Sequence, residues 1–365
     1  MSLDNIRERL NALDSELVEL MARRQRIVAE VSAHKISTGI PTRDYARERE
    51  VLEGVRRRAG ELDFDPDVAE AILRLLIRSS LTQQKQTRVA AQNTGAGKRA
   101  LIIGGAGKMG AWTADFLASQ GFGVEIADPT EGAGAYPRHS DWHDLELDHD
   151  VIVVATQIKT TATILAELAE RRPGGLIFDI GSLKTPLKAG LEALVAAGCR
   201  VTSLHPMFGP DTQLLSGRHV IFIDLGHRDA VAQARALFSS TMAELVEMSL
   251  DEHDRLIGYV LGLSHAVNLT FFTALAGSGE LVPKLRRLSS TTFDAQLAVA
   301  SRVAGDNPHL YFEIQALNDY GRAPLDALVS AAQQIRELVD TNDEDAFVSL
   351  MEAGRDYLRI DPAAR

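Results

Sequence analysis

Ala100-Leu101-Ile102-Ile103 runs straight into Gly104-Gly105-Ala106-Gly107-Lys108-Met109-Gly110, and few folds accept such a stretch. The four apolar residues read as a buried strand, and Trp112, Phe116 and Leu117 follow at helical spacing. The glycines must therefore form a strand-to-helix turn with no side chains in the way. A diphosphate can then sit on the helix N-terminus, where unpaired N–H groups and the dipole favour negative charge. Gly105, Gly107 and Gly110 make the Gly-x-Gly-x-x-Gly set, with Lys108 and Met109 inside it. Three glycines alone describe many tight turns; the flanking strand and helix turn them into a dinucleotide site. Val124-Glu125-Ile126-Ala127 is a second strand. Asp128 at its end falls at about the 20-residue offset where a carboxylate binds adenosine ribose hydroxyls; a plain strand-end residue before Pro129 is the alternative. An acid repels a 2′-phosphate, and no Arg or Lys follows Asp128 before Arg138, so NAD is expected in preference to NADP.

A chain of 365 residues holds two or three domains. Its net charge of −11 argues against a general nucleic-acid binder, although the first 60 residues are rich in Arg. Cys199 is the single cysteine, which excludes an internal disulfide framework and favours a reducing compartment. No apolar run comes near the roughly 20 residues of a membrane span, and Met1-Ser2-Leu3-Asp4-Asn5 has no signal-peptide pattern. A soluble cytoplasmic protein without membrane, nucleic-acid or metal partners is expected.

Before the glycine turn everything reads as helix. Ile6, Leu10, Leu13, Leu17, Leu20, Ile27 and Val31 recur at helical spacing from Asp4 to about Ser37, and Gly39 and Pro41 end the run. A second helix spans about 42–58, and a third opens at the cap Asp65-Pro66 and reaches about Lys85. Three helices in about 90 residues cannot bury their apolar faces alone, so a dimer is expected. Arg24 and Lys35 share one face; Asp44, Arg47 and Glu48, and likewise Ser79 and Gln83, have one-turn spacing. Arg7 lies roughly 25 Å along the helix from Arg24, so it serves a partner's site if it serves one. Solvated helix faces are the bland alternative.

The runs Ile6–Asp14, Pro41–Arg49 and Leu81–Gln84 make residues 3–86 resemble the all-helical chorismate mutases. That resemblance implies that Arg24 and Arg47, with Arg7 of the other protomer, bind the two carboxylates of chorismate. It gives Lys35 and Gln83 the ether oxygen, Asp44 and Glu48 the ring hydroxyl region, and Ser79 a carboxylate. The chemistry suits such a set: a Claisen rearrangement needs a held conformer and donors at the oxygen gaining charge, without a nucleophile, base or metal.

Residues 87–98 have no apolar periodicity and read as a linker. Beyond it, strands at 151–156, 176–180, 201–204 and 219–223 alternate in part with helices at about 160–171 and 186–197, giving a doubly wound sheet with its ligand at the C-terminal strand ends. Gly181-Ser182-Leu183-Lys184 and His205-Pro206-Met207-Phe208-Gly209-Pro210 stand at two such ends. A strand-end His is often a packed loop residue, but beside a nicotinamide it is the usual proton acceptor.

Leu-His-Pro-Met-Phe-Gly-Pro makes the part from about residue 99 onward resemble the prephenate dehydrogenases. With the N-terminal module, the whole chain resembles the bifunctional chorismate mutase–prephenate dehydrogenases of tyrosine biosynthesis. The resemblance implies that His205 takes the proton of the ring 4-hydroxyl while Ser182 bonds that hydroxyl and orients His205. It places His265 at the substrate side chain, with a part in tyrosine feedback; the helical segments at both ends of the chain favour a homodimer. From about Ser249 the pattern is helical throughout. Arg302 stands in an otherwise apolar helix, where burial calls for an anion, and the family reading is prephenate's ring carboxylate. Two positions depart from the family: Gln157 where relatives have proline, and Asp294 where some have a second Arg.

The expected architecture is multidomain. It comprises an all-α mutase module (1–87), a linker (88–98), an α/β Rossmann-type NAD domain (99–247) and an all-α dimerisation and substrate domain (248–365). Three alternatives stay open. A β-hydroxyacid dehydrogenase would need a Lys on the first long helix after the sheet, and 251–275 has none. An arogenate-preferring dehydrogenase is compatible with the sequence. So is an N-terminal module that only regulates or dimerises.

Overall fold

The computed structural model describes residues 2–38, 45–84, 97–130, 135–212, 215–239, 241 and 243–358; within its helices the side chains at 32–33, 35–38, 45–46 and 78–84 fall outside the description. Three helices come first, α1 (Leu3–Thr38), α2 (Tyr45–Glu61) and α3 (Pro66–Gln84). The Asp65 carboxylate accepts the Asp67 and Val68 amides (2.8 and 3.4 Å) and so starts α3 at the expected cap. Helices α2 and α3 close on Leu52 and Ile77, with Val51 and Leu73 packed against them. Gln25 of α1 donates to the Leu76 carbonyl of α3 (3.2 Å). The periodic apolar residues of α1 nevertheless remain exposed, Leu10 and Leu13 at 56% each.

The chain divides into two compact units. The first holds residues 1–182 and 187–250, and an eight-stranded sheet dominates it. Its strands are β1 (Arg99–Ile103), β2 (Gly123–Ala127), β3 (Arg138–His139), β4 (Val151–Val154), β5 (Leu176–Asp179), β6 (Arg200–Pro206), β7 (His219–Ile223) and β8 (Glu244–Met248). The order is β3-β2-β1-β4-β5-β6-β7-β8. The first six run parallel; β7 is antiparallel to β6, and β8 is parallel to β7. β3 and β8 are additions to the sequence reading. One is two residues long and the other is a half-exposed edge, so neither carries an apolar run. Helices α4 (Lys108–Ser119), α5 (Ile158–Arg171), α6 (Lys188–Ala196) and α7 (Arg228–Phe238) accompany the sheet. The core joins β1, β2, β4, β5, β6 and β7 to Phe116, Leu117 and Phe238. Within this unit Arg74 of α3 donates to the Ser216 carbonyl (3.0 Å) and hydroxyl (2.6 Å), while Glu70, itself buried, braces it.

The second unit combines Leu183–Pro186 with Asp251–Arg365. It contains α8 (Leu250–Ile257), a π-helical turn (Gly258–Leu263), α9 (Ser264–Gly277), α10 (Val282–Arg287), α11 (Thr291–Ala304), α12 (Pro308–Ala316), α13 (Arg322–Asp340) and α14 (Glu344–Leu358). The run Leu250–Gly277 is 28 residues long and, by length and composition only, apolar enough to cross a membrane, a longer apolar stretch than the sequence reading expected. Five polar residues, Asp251 to Arg255, open it, and His253 and Asp254 are fully buried.

Candidate active sites

The glycine turn forms where β1 ends, beside β4, the point at which strand order reverses and a doubly wound sheet binds its ligand. Backbone crowding explains the glycines. A Cβ on Gly110 would lie 2.2 Å from the Gly104 carbonyl oxygen, and one on Gly105 would lie 2.6 Å from the Ile126 side chain. Gly104, outside the counted triad, is the one with positive φ (+89°); a Cβ there would strike the Ala155 carbonyl of the loop after β4 at 2.7 Å. Helix α4 starts at Lys108 with Gly107 as an N-cap that has no side-chain hydrogen bond. Ala106, Gly107 and Lys108 are exposed, and Met109 is half-buried. A cradle of bare backbone at an uncapped helix start fits a dinucleotide diphosphate.

Asp128 closes one side of the turn. One oxygen accepts the Ala106 amide (3.0 Å), the other the Thr130 amide (2.9 Å). Arg138, distant in sequence, returns on β3 beside β2, and its guanidinium donates to the Thr130 carbonyl (2.9 Å). Separation along the chain therefore misjudged how close a cation stands to Asp128.

Ser182 lies just past the end of β5 and His205 in the last residues of the adjacent parallel strand β6, one residue further than the strand expected at 201–204; Asp179 of β5 pairs with Ser203 of β6. His205 is buried opposite Ile221 of β7, and Ser182 is half-buried. Asp179, fully buried, accepts the Ser203 hydroxyl and the Gly181 amide (2.8 Å), so one carboxylate ties the Ser182 turn to the His205 strand. The loop after His205 is anchored by Trp112 of α4. Its indole N–H reaches the Thr212 carbonyl (2.9 Å) and its ring meets Phe208 edge-on at 4.9 Å. Sequence reasoning missed Asp179 and Trp112. An acid ending the apolar run Leu-Ile-Phe-Asp was the available signal for the first.

In the helical module, Arg24 is half-buried and its Nη1 has no hydrogen-bond partner among the described residues; burial holds its pKa below the ordinary value. Arg47 is exposed and paired with Glu50 (2.8 Å), Glu48 is half-buried, and Arg7 is exposed beside Asp4 (3.7 Å). Lys35 lies on α1, and Ser79 and Gln83 lie on α3, but their side chains, like the whole of Asp44, are outside the described residues.

In the second unit His265 stacks on Tyr311 at 4.2 Å, and its buried Nδ1 also has no partner among the described residues. Burial lowers its pKa, against the opposing pull of Asp306, and so disfavours the charged ring. The described residues leave four buried side-chain nitrogen or oxygen atoms without a hydrogen bond. Two of the four belong to expected substrate ligands, Arg24 and His265, and a bound ligand would satisfy them. Arg302 corrects an expectation, because it is exposed. α11 buries Leu297 and Ala300, and a residue two positions past Ala300 is turned about 200° away. Arg302 is thus a solvent-facing cation with no burial that demands an anionic partner.

Three family models match: chorismate mutase type II over residues 6–85, the nucleotide-binding domain of prephenate dehydrogenase over 135–247, and its dimerization domain over 249–353. A T-protein of Enterobacter agglomerans is 27% identical over 353 residues, covering 95% of this chain and 90% of that protein. A 4-amino-4-deoxyprephenate dehydrogenase of Streptomyces pristinaespiralis is 30% identical over 265 residues, 69% of this chain and 88% of that one. The crystal structure of prephenate dehydrogenase from Aquifex aeolicus superposes with a TM-score of 0.57 at 20% identity, over 72% of this chain and 99% of that one, and shares the fold. A mutase module, a glycine-turn sheet and a dimerization domain follow one another on one polypeptide, and the chain belongs to the bifunctional chorismate mutase–prephenate dehydrogenase family.

Proposed function

We propose that the chain converts chorismate to prephenate in its helical module (1–87) and then, past the linker (88–98), oxidatively decarboxylates prephenate to 4-hydroxyphenylpyruvate in 99–247 and 248–365. NAD⁺ supplies the hydride acceptor, its diphosphate over Gly105, Gly107, Lys108, Met109 and Gly110 and its adenosine ribose at Asp128. Two copies make the working unit, as the exposed stripe of α1 and the dimerization-domain match support. The small-molecule substrates favour a cytoplasmic enzyme. Tyrosine, which shares prephenate's side-chain shape, is the proposed feedback ligand at His265.

In the mutase site Arg24, Arg47 and the partner subunit's Arg7 clamp the carboxylates, with Ser79 assisting one of them. Asp44 and Glu48 hold the ring hydroxyl region. That fixes the folded conformer and recovers part of the entropic barrier. Lys35 and Gln83 then meet the ether oxygen as it gains negative charge. In the dehydrogenase site His205 accepts the proton of the ring 4-hydroxyl, Ser182 hydrogen bonds that hydroxyl, and Arg302 anchors the ring carboxylate that leaves as CO₂. Aromatisation makes the step irreversible.

The observation that carries a working mutase is Arg24, whose buried guanidinium nitrogen has no protein acceptor among the described residues and so awaits an anion. Purified chain given chorismate should yield prephenate without NAD⁺, and NADH with 4-hydroxyphenylpyruvate once NAD⁺ is added. Inert chorismate with active prephenate would make the helical module a regulatory or dimerising domain. Arogenate oxidised faster than prephenate would change the substrate and keep the chemistry.

A further inference from the structure

Asp254 is fully buried at the start of the long helical run, and the steps above do not use it. Its carboxylate accepts the main-chain amides of Lys184 (3.0 Å) and Thr185 (2.5 Å), the Thr185 hydroxyl (2.5 Å) and His253 Nδ1 (2.6 Å). Asn318 holds the Asp254 carbonyl oxygen at 2.8 Å. A buried carboxylate is costly without such donors, and here two of them are successive amides opening the 3₁₀ turn Thr185–Leu187. The carboxylate therefore acts as that turn's N-terminal cap, supplied from 69 or 70 positions away in sequence.

Ser182 stands between two such anchors. On its N-terminal side the Asp179 carboxylate takes the Gly181 amide; on its C-terminal side Asp254 takes those of Lys184 and Thr185. A short segment whose amides are bound at both ends has few backbone conformations left, and so the Ser182 hydroxyl has few directions left. We propose that Asp254, acting through Thr185 and Lys184, is a positioning residue for the dehydrogenase reaction that fixes the turn presenting Ser182. The inference rests on the role given to Ser182 above.

A double-mutant cycle tests it, with the mutase activity of the same chain as the control for folding. Thr185→Val removes one donor and keeps the side-chain shape. It should lower dehydrogenase kcat about 5–10-fold, leave the KM for NAD⁺ unchanged, and lower kcat by less than about 2-fold when Ser182 is already Ala. Thr185→Ser, which keeps the hydroxyl, should restore most of the rate. Asp254→Asn turns an N–H toward the amides and should cost more than Thr185→Val. Wild-type kcat in both Asp254→Asn and Thr185→Val, or an undiminished Thr185→Val effect in the Ser182→Ala background, overturns the inference and spares the role of Ser182. An unchanged kcat in Ser182→Ala overturns both.

Discussion

Among the described residues, Leu52, Ala59, Ala69 and Ile77 are the buried apolar residues of the first three helices, whereas β1, β4 and β5 bury every apolar residue they carry. The sheet satisfies itself. Each central strand is covered on both faces, so its residues read as unbroken apolar runs and fold within one chain. The helical module leaves Ile6, Leu10, Leu13, Leu17, Leu20, Ile27 and Val31 half-exposed along one stripe of α1. Fully burying one Leu is worth roughly 1.5–3 kcal/mol, so such a stripe supplies ample drive for a second copy. The expected ligands divide in the same way: Ser182 and His205 sit at adjacent strand ends of one sheet, whereas Arg7 and Arg24 stand far apart on one helix.

The strongest test of this contrast is to silence each region separately. Lys35→Ala should lower mutase kcat roughly 10²–10³-fold and spare the dehydrogenase. His205→Asn should lower dehydrogenase kcat roughly 10²–10⁴-fold and spare the mutase. Steady-state assays of both activities check the pair, and a joint loss in either variant would mean that the two regions are not separate sites. A smaller effect follows from charging the stripe. Leu10→Asp with Leu13→Asp should reduce mutase activity roughly 10²-fold, as the two positions lose the burial a second copy would give them, while the dehydrogenase keeps most of its rate; unchanged mutase activity would show that α1 needs no partner. Smallest is Arg302→Ala, expected to raise the KM for prephenate about 10-fold with little change in kcat; an unchanged KM would remove this exposed cation from the substrate site.

What the sequence disclosed follows the same division. The glycine turn, the strands from β1 to β7 other than β3, and the Ser182 turn were readable because backbone geometry and apolar runs determine them locally; His205, expected just past its strand, lies within β6. Asp179 and Asp254 were not, since their partners come from other elements, in the case of Asp254 some 70 positions away. Arg138 was misjudged for the same reason, as a two-residue strand brings it back beside Asp128's turn. Arg302 was misjudged because an apolar-looking helix suggests burial all round, whereas α11 buries only one stripe. Arg24 was legible by its spacing from Lys35, but its unpartnered nitrogen emerged only from the packing of α1.

The proposed contrast is that the sheet buries its core within one chain, whereas the mutase site is completed by Arg7 of a second copy. Coexpressing Arg7→Ala and Lys35→Ala chains under different tags, then purifying through both tags, isolates the mixed dimer. Each parent should be nearly without mutase activity. If Arg7 reaches into the partner's site, the mixed dimer has one intact site of two and should regain about half the wild-type mutase rate, with dehydrogenase activity normal in all three. A mixed dimer no more active than its parents would contradict the account.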